Sequence, residues 1–183
     1  MFCYYIKHIK QLYWMKKLIF LILFTLFSMN ANAECDDPIG DGVDYTNCRF
    51  SDGQDLAGSY LPNSNLSFAS FIQVNFDKSI MMNSILAYGT FSESSFIRAN
   101  LYESNLQGAN FEQSNFTSSN LTKANLKGAT LIGADFKNAN LMESLLESAN
   151  LTGANFEGAN LIGSIWTDGK KCLAGSIGEC ITE

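Results

Sequence analysis

Histidine is almost missing from this chain of 183 residues: the one present is His8. Proline and tryptophan occur twice each, and only 16% of residues are charged. Each shortage excludes something. Beyond position 8 there is no imidazole for a Ser-His-Asp or Cys-His relay, nor for a metal site that relies on one. The main apolar run, Leu18 to Phe27, holds ten residues with one Thr among them. That is half of the ~20 a helix needs to cross a bilayer. Basic residues are scarce as well, and four of the twelve (Lys7, Lys10, Lys16, Lys17) sit in the first seventeen positions. Residues 34 to 183 carry all eighteen acids against eight bases, a net charge of −10.

The beginning of the chain has the form of a secretory leader. Met15-Lys16-Lys17 supplies a basic start, the run from Leu18 an apolar stretch, and Ala31-Asn32-Ala33 a small-x-small cleavage site. Residues 1–33 are therefore expected to be upstream sequence and leader, with Met15 the true start. Cleavage before Glu34 leaves an exported protein, periplasmic or secreted, with no membrane attachment and no histidine. A lipid-anchored alternative is disfavoured, because Glu34 rather than a small residue precedes Cys35.

What is present in abundance is repetition. From Leu56 to Trp166 every fifth residue is Leu, Phe, Met or Trp, at 23 of 23 positions. Two places before each, from Ser59 to Ser164, stands Ala, Ser or Gly at 21 of 22 positions, Val74 being the exception. Between them Asn is the commonest residue, as in Ala109-Asn110-Phe111 and Ala154-Asn155-Phe156. A period of five is neither the 3.6 of a helix nor the 2 of an ordinary strand, and a fixed internal repeat implies a solenoid. A second period lies within the first. All eight central Phe fall into two of the four series that a spacing of twenty defines: Phe76, Phe96, Phe116, Phe136 and Phe156, then Phe71, Phe91 and Phe111. A coil of twenty residues stacks these Phe in columns.

These residues resemble the pentapeptide-repeat family, whose unit is written A(D/N)LXX. The resemblance implies an all-β fold, a right-handed, quadrilateral β-helix of four pentapeptides per coil. The 23 units then make nearly six coils of 20 residues. At ~4.8 Å per coil the body is roughly 27 Å long. Central residues and the small residues two before them point inward, with Phe76, Phe96, Phe116, Phe136 and Phe156 as a core stack. The Asn series reads as hydrogen bonding at the corners, since Asn tolerates tight turns and left-handed backbone.

The flanks break the register. Residues 34–55 are expected to form an N-terminal cap, 56–166 the solenoid and 167–183 a C-terminal cap, because end units must cover the open core. Phe50 to Leu56 is a step of six, so a bulge or irregular first coil is expected there. Four cysteines follow the leader, an even number in an exported chain. A disulfide needs Cα atoms ~4.4–6.8 Å apart, so pairing across a body of that length is excluded. Cys35 is expected to pair with Cys48, and Cys172 with Cys180, free thiols being the alternative. The same separation argues against a four-cysteine zinc site.

Chemistry beyond this is sparse. Glu143 and Glu147 are near each other in sequence, but in outward slots on a convex surface they read as solvated side chains. Asp36, Asp37, Asp41 and Asp44 offer oxygen ligands for a weak Ca²⁺ site, yet Asp is also a turn residue and the turn reading is preferred. No catalytic, cofactor-binding or metal site is expected. Some members of the family mimic duplex DNA and bind gyrase, conferring fluoroquinolone resistance, and that is the alternative function. The body, however, carries eight acids and five bases, a net of −3. Duplex DNA of ~27 Å carries about 16 charges. The preferred reading is an exported, non-catalytic structural or protein-interaction scaffold that binds no nucleic acid. Its candidate interaction patches are apolar outward columns: Phe68 over Tyr88 and Met82 over Tyr102 near one end, Met142 over Ile162 and Leu145 over Ile165 near the other. The second group is expected to serve a homodimer joined through the C-terminal coils.

Overall fold

The computed structural model describes Cys35 and residues 37–183. The leader, Glu34 and Asp36 lie outside the described residues. Each pentapeptide builds one side of a four-sided coil. Three residues run straight, the central one and the two before it, and the next two turn the corner. The middle residue of each side forms a parallel bridge to the residue twenty places on, from Asp55–Asn75 and Tyr60–Ile80 through to Leu145–Ile165. Backbone bonds join the coils in both directions: Phe96 N–H donates to the Asn115 carbonyl (2.7 Å), and Asn100 N–H to that of Ser79 (2.9 Å). The coil of twenty, read from the Phe series, is thus the repeat of the backbone itself.

Corners explain the Asn. Its side-chain carbonyl accepts the N–H two residues on, as from Asn75 to Asp77 (3.0 Å), Asn115 to Thr117 (2.9 Å) and Asn155 to Glu157 (3.0 Å). The corner bonding expected of Asn is present, but the left-handed backbone is elsewhere. It falls two residues after the central one, where Lys78, Tyr88, Arg98, Glu103 and Lys123 hold φ between 54° and 59°. Asn is selected here for an acceptor that reaches a corner N–H, and not for its tolerance of positive φ.

The core is a set of columns. Phe76, Phe96, Phe116, Phe136 and Phe156 stack at 5.1, 4.9, 5.0 and 5.0 Å with nearly parallel rings. Phe71, Phe91 and Phe111 form the neighbouring column, and the two meet edge to face, as Phe111 meets Phe116 at 5.2 Å. Such pairs contribute beyond the area they bury. The small residues are small of necessity. A Cβ on Gly89 would stand 2.5 Å from the Phe91 ring. Where the slot is Ser, the hydroxyl divides into two kinds. Ser84, Ser94 and Ser114 donate to the carbonyls of Leu61, Phe71 and Phe91. Those of Ser59, Ser79, Ser119 and Ser144 find no partner.

The ends differ. Asp44 and Arg49 bridge to Asn65 and Ser70, twenty-one places on, so the extra residue of the six-residue step enters before Asp55. Phe50 stacks on Phe71 at 4.2 Å. The segment expected as a cap therefore already follows the coil from Asp44 onward. Tyr45 is buried, and its hydroxyl donates to the Asp37 carbonyl (2.6 Å). Cys35 is bonded to Cys48, and Cys172 to Cys180. At the far end the tail runs antiparallel across two sides, bridging Ile165–Lys171 and Asn160–Ile177. The other two sides are left with Leu151 and Phe156 half-buried.

Candidate functional site

Catalytic geometry does not assemble among the described residues. Glu143 and Glu147 lie on different corners, Glu143 beside an open groove at the C-terminal cap and Glu147 against Lys127. The Lys127 ammonium stands 2.7 Å from Glu147 Oε2 but off the hydrogen-bond direction, so this is a charge contact. Among the described residues no three His, Cys, Asp or Glu side chains approach as metal ligands would. Asp44 accepts from the hydroxyl and N–H of Thr46, which hold its carboxyl below the usual range. Asp41 accepts from the Asn63 amide. Both acids are occupied as turn residues.

Charge on the body pairs along its columns. Lys123 meets Glu103 and Lys137 meets Glu157, each one coil apart. The Tyr102 hydroxyl and then the Lys123 ammonium hold the Glu103 carboxyl low, and Glu103 in turn raises Lys123. With Lys127 and Glu147, three of the body's eight acids are matched by a base one coil away.

What the surface does offer is apolar. Phe68 and Tyr88, 57% and 52% exposed, stack at 5.3 Å on one corner. The Tyr88 ring lies on Gly108, where a Cβ would stand 2.6 Å from it. Met82 and Tyr102 are half-buried on the next corner, with Lys123 over the Tyr102 ring. The structure adds three residues that sequence reading missed: Tyr60 at 54%, Ile80 at 37% and Ile85 at 41% exposure. All three occupy the middle of a side, where Asn is the rule, and that departure from Asn was the available sign. Every exposed large apolar side chain of the body lies between Tyr60 and Tyr88; the others, Ile39, Leu173, Ile177 and Ile181, belong to the end segments. The second patch is more covered. Met142, Leu145, Ile162 and Ile165 are all half-buried, and Lys171 to Ala174 form a groove with Met142 and Ile162.

A family model described as pentapeptide repeats matches this chain in eight copies, over residues 55–86, 94–131 and 131–165. Among solved structures, a trypsin-treated variant of QnrB1, a plasmid-mediated fluoroquinolone resistance protein, is similar at TM-score 0.64 and 25% identity. That match covers 68% of this chain and 62% of QnrB1, so the chain spans less than two thirds of its length. Rfr23, a pentapeptide repeat protein from the cyanobacterium Cyanothece 51142, is 26% identical at TM-score 0.44, with 67% of this chain and 90% of that one covered. A pentapeptide repeat protein of the Arabidopsis thaliana thylakoid lumen is 20% identical at TM-score 0.37, with 72% and 83% covered. The last two superpose too loosely to carry an argument. Comparison with curated protein sequences gives no match.

Proposed function

This chain belongs to the pentapeptide-repeat family, with its right-handed, quadrilateral β-helix, and from that premise we propose that it is an exported, non-catalytic scaffold presenting one apolar surface to a protein partner. One observation carries the reading. The exposed large apolar side chains of the body are gathered between Tyr60 and Tyr88, on two adjacent sides and the corners that border them, and none of the later coils exposes one. Scattered apolar residues on a surface are ordinary, whereas a contiguous cluster marks an interaction site. The body has a filled core and convex sides, which favour contact over chemistry. Two disulfides suit an oxidising compartment and agree with the leader.

The test is recovery of partners from the envelope fraction on immobilised protein, beside a Phe68→Ser/Tyr88→Ser variant. A partner held by the parent and lost from the variant supports the reading. Equal recovery by both removes the surface from consideration.

The likeness to QnrB1 brings a second reading, a DNA mimic acting on gyrase. The body's net charge of −3, with three of its eight acids ion-paired to a lysine, argues against it. Protection of gyrase supercoiling from a fluoroquinolone by the purified protein would restore it.

A further inference from the structure

The side of the solenoid that carries Leu66 and Leu86 in its core holds both candidate patches, and they differ in symmetry. Its middle column runs Asn65, Ile85, Asn105, Asn125, Leu145, Ile165. One bordering corner carries Met82 and Tyr102, and the other Phe68 and Tyr88. Residues on such a side are placed laterally by their distance from the middle column and axially by their number. A two-fold axis normal to the side through Ile85 therefore sets each residue n against residue 170 − n of a second copy.

That operation gives complementary neighbours along its whole length. Ile85 meets itself. Tyr88, three after Ile85, faces Met82, three before it, a sulfur–aromatic pairing. Phe68, three after Asn65, faces Tyr102, three before Asn105, an aromatic pair. Asn65 faces Asn105. In the first coil the offset of twenty-one shifts the count by one, so Asp44 faces Asn125 and Asp41 comes beside Lys127. No like charges are brought together.

The C-terminal patch lacks this property. An axis between Leu145 and Ile165 sets Met142 against Asp168 and Ile162 against Ser148, an apolar group opposite a polar one in both cases. We infer that the partner of the Leu66 side is a second copy of this chain, packed face to face and antiparallel about Ile85. This identifies the partner of that part of the surface proposed above which lies on the Leu66 side, Tyr60 and Ile80 belonging to the preceding side, and it rests on that reading.

Facing sheets pack ~10 Å apart, a gap that large side chains at the two borders fill. The contact spans some four coils, about 20 Å at ~4.8 Å each, which is small for a specific interface, so the association is weak and concentration-dependent. A side with one self-complementary patch makes a closed dimer and no filament.

Sedimentation velocity from ~5 to ~500 µM tests it, over a span of two decades in which a weak dimer forms. The dimer fraction is expected to rise across the range and to be lost in Tyr88→Glu, with the far-ultraviolet circular dichroism of that variant unchanged. Single-cysteine variants then locate the axis. With a short bis-maleimide, Ile85→Cys is expected to cross-link to itself at least tenfold more than Asn125→Cys or Leu145→Cys. A parent that stays monomeric overturns the inference, and so does cross-linking that favours Leu145→Cys or Ile165→Cys, which would move the dimer to the C-terminal coils. A photo-crosslinker at position 88 separates this failure from failure of the scaffold reading. Capture of a different protein by a monomeric parent overturns the second copy and leaves the interaction surface standing; capture of nothing overturns both.

Discussion

A single side chain in this molecule is worth what its slot makes it. Phe116 has a ring on either side in its own column, Phe96 at 4.9 Å and Phe136 at 5.0 Å, and is fully buried. Phe116→Ala is expected to cost ~3–5 kcal/mol. The next residue, Thr117, is at a corner, and Thr117→Ala should change stability by less than ~0.5 kcal/mol. Urea titration of both variants decides, and equal effects would mean the inward register is wrong. The buried serines give a finer comparison. Ser94 Oγ donates to the Phe71 carbonyl and accepts from Val74 N–H, so Ser94→Ala strands both at ~1–3 kcal/mol. Ser119 Oγ is equally buried and bonds to nothing. Ser119→Ala is therefore expected to be neutral or stabilising, by up to ~1 kcal/mol. A loss in Ser94→Ala without a loss in Ser119→Ala is the expected outcome of the two melting curves; a loss in both would show that Ser119 has an acceptor.

At the scale of the coil and its caps, backbone conformation and burial take over. Gly128 has φ of +65° with open space where a Cβ would go, so Gly128→Ala carries the left-handed cost alone, ~1–2 kcal/mol. Gly89 has an ordinary φ, but a Cβ would collide with the Phe91 ring at 2.5 Å and stand a tight 3.2 Å from the carbonyl oxygens of Ala69 and Leu86. Gly89→Ala should cost more than Gly128→Ala in the same denaturant assay, although only the second changes φ preference. The N-terminal segment adds a pH dependence. Burial, and then the Asp37 charge, raise the pKa of Tyr45 above its usual value near ~10. A raised folded-state pKa means a contribution intact below the unfolded value and lost as pH rises through the folded one. Stability should fall above pH ~10, and Tyr45→Phe should flatten that alkaline limb. It should also lose ~0.5–1.5 kcal/mol at neutral pH with the bond to Asp37.

For the molecule as a whole, compartment decides what the surface meets and whether the disulfides form. The leader reading places the first residue of exported protein at Glu34, which N-terminal sequencing checks directly. Retention of Met15, or a lipid on Cys35, would overturn it. Stability of a solenoid is nearly a sum over coils and their interfaces, so each end matters as much as any interior coil. Here the C-terminal cap covers two sides and leaves Leu151 and Phe156 half-buried, making that end the expected point of first fraying.

The repeat itself was legible in the amino-acid order, because a period of five with a small residue two before each apolar one admits very few backbones. The coil of twenty was legible too, since Phe on Phe is a packing relation that leaves its spacing in the chain. The disulfide partners followed once the length of the body separated the two ends. The slot that takes the left-handed turn was partly legible, since Gly or Asn holds it at ten of 22 places from Gly58 to Gly163. Tertiary structure decided it for the Lys, Tyr, Arg and Glu at the same position, where inter-coil hydrogen bonds impose the conformation from outside. It also decided which outward residues act together. Tyr60, Ile80 and Ile85 are ordinary apolar letters in the sequence; Tyr60 meets Ile80 on one side, and Phe68 meets Tyr88 on a corner of the next, only because successive coils bring residues twenty apart into contact. A surface is a property of neighbours, and in a solenoid most neighbours come from the next coil.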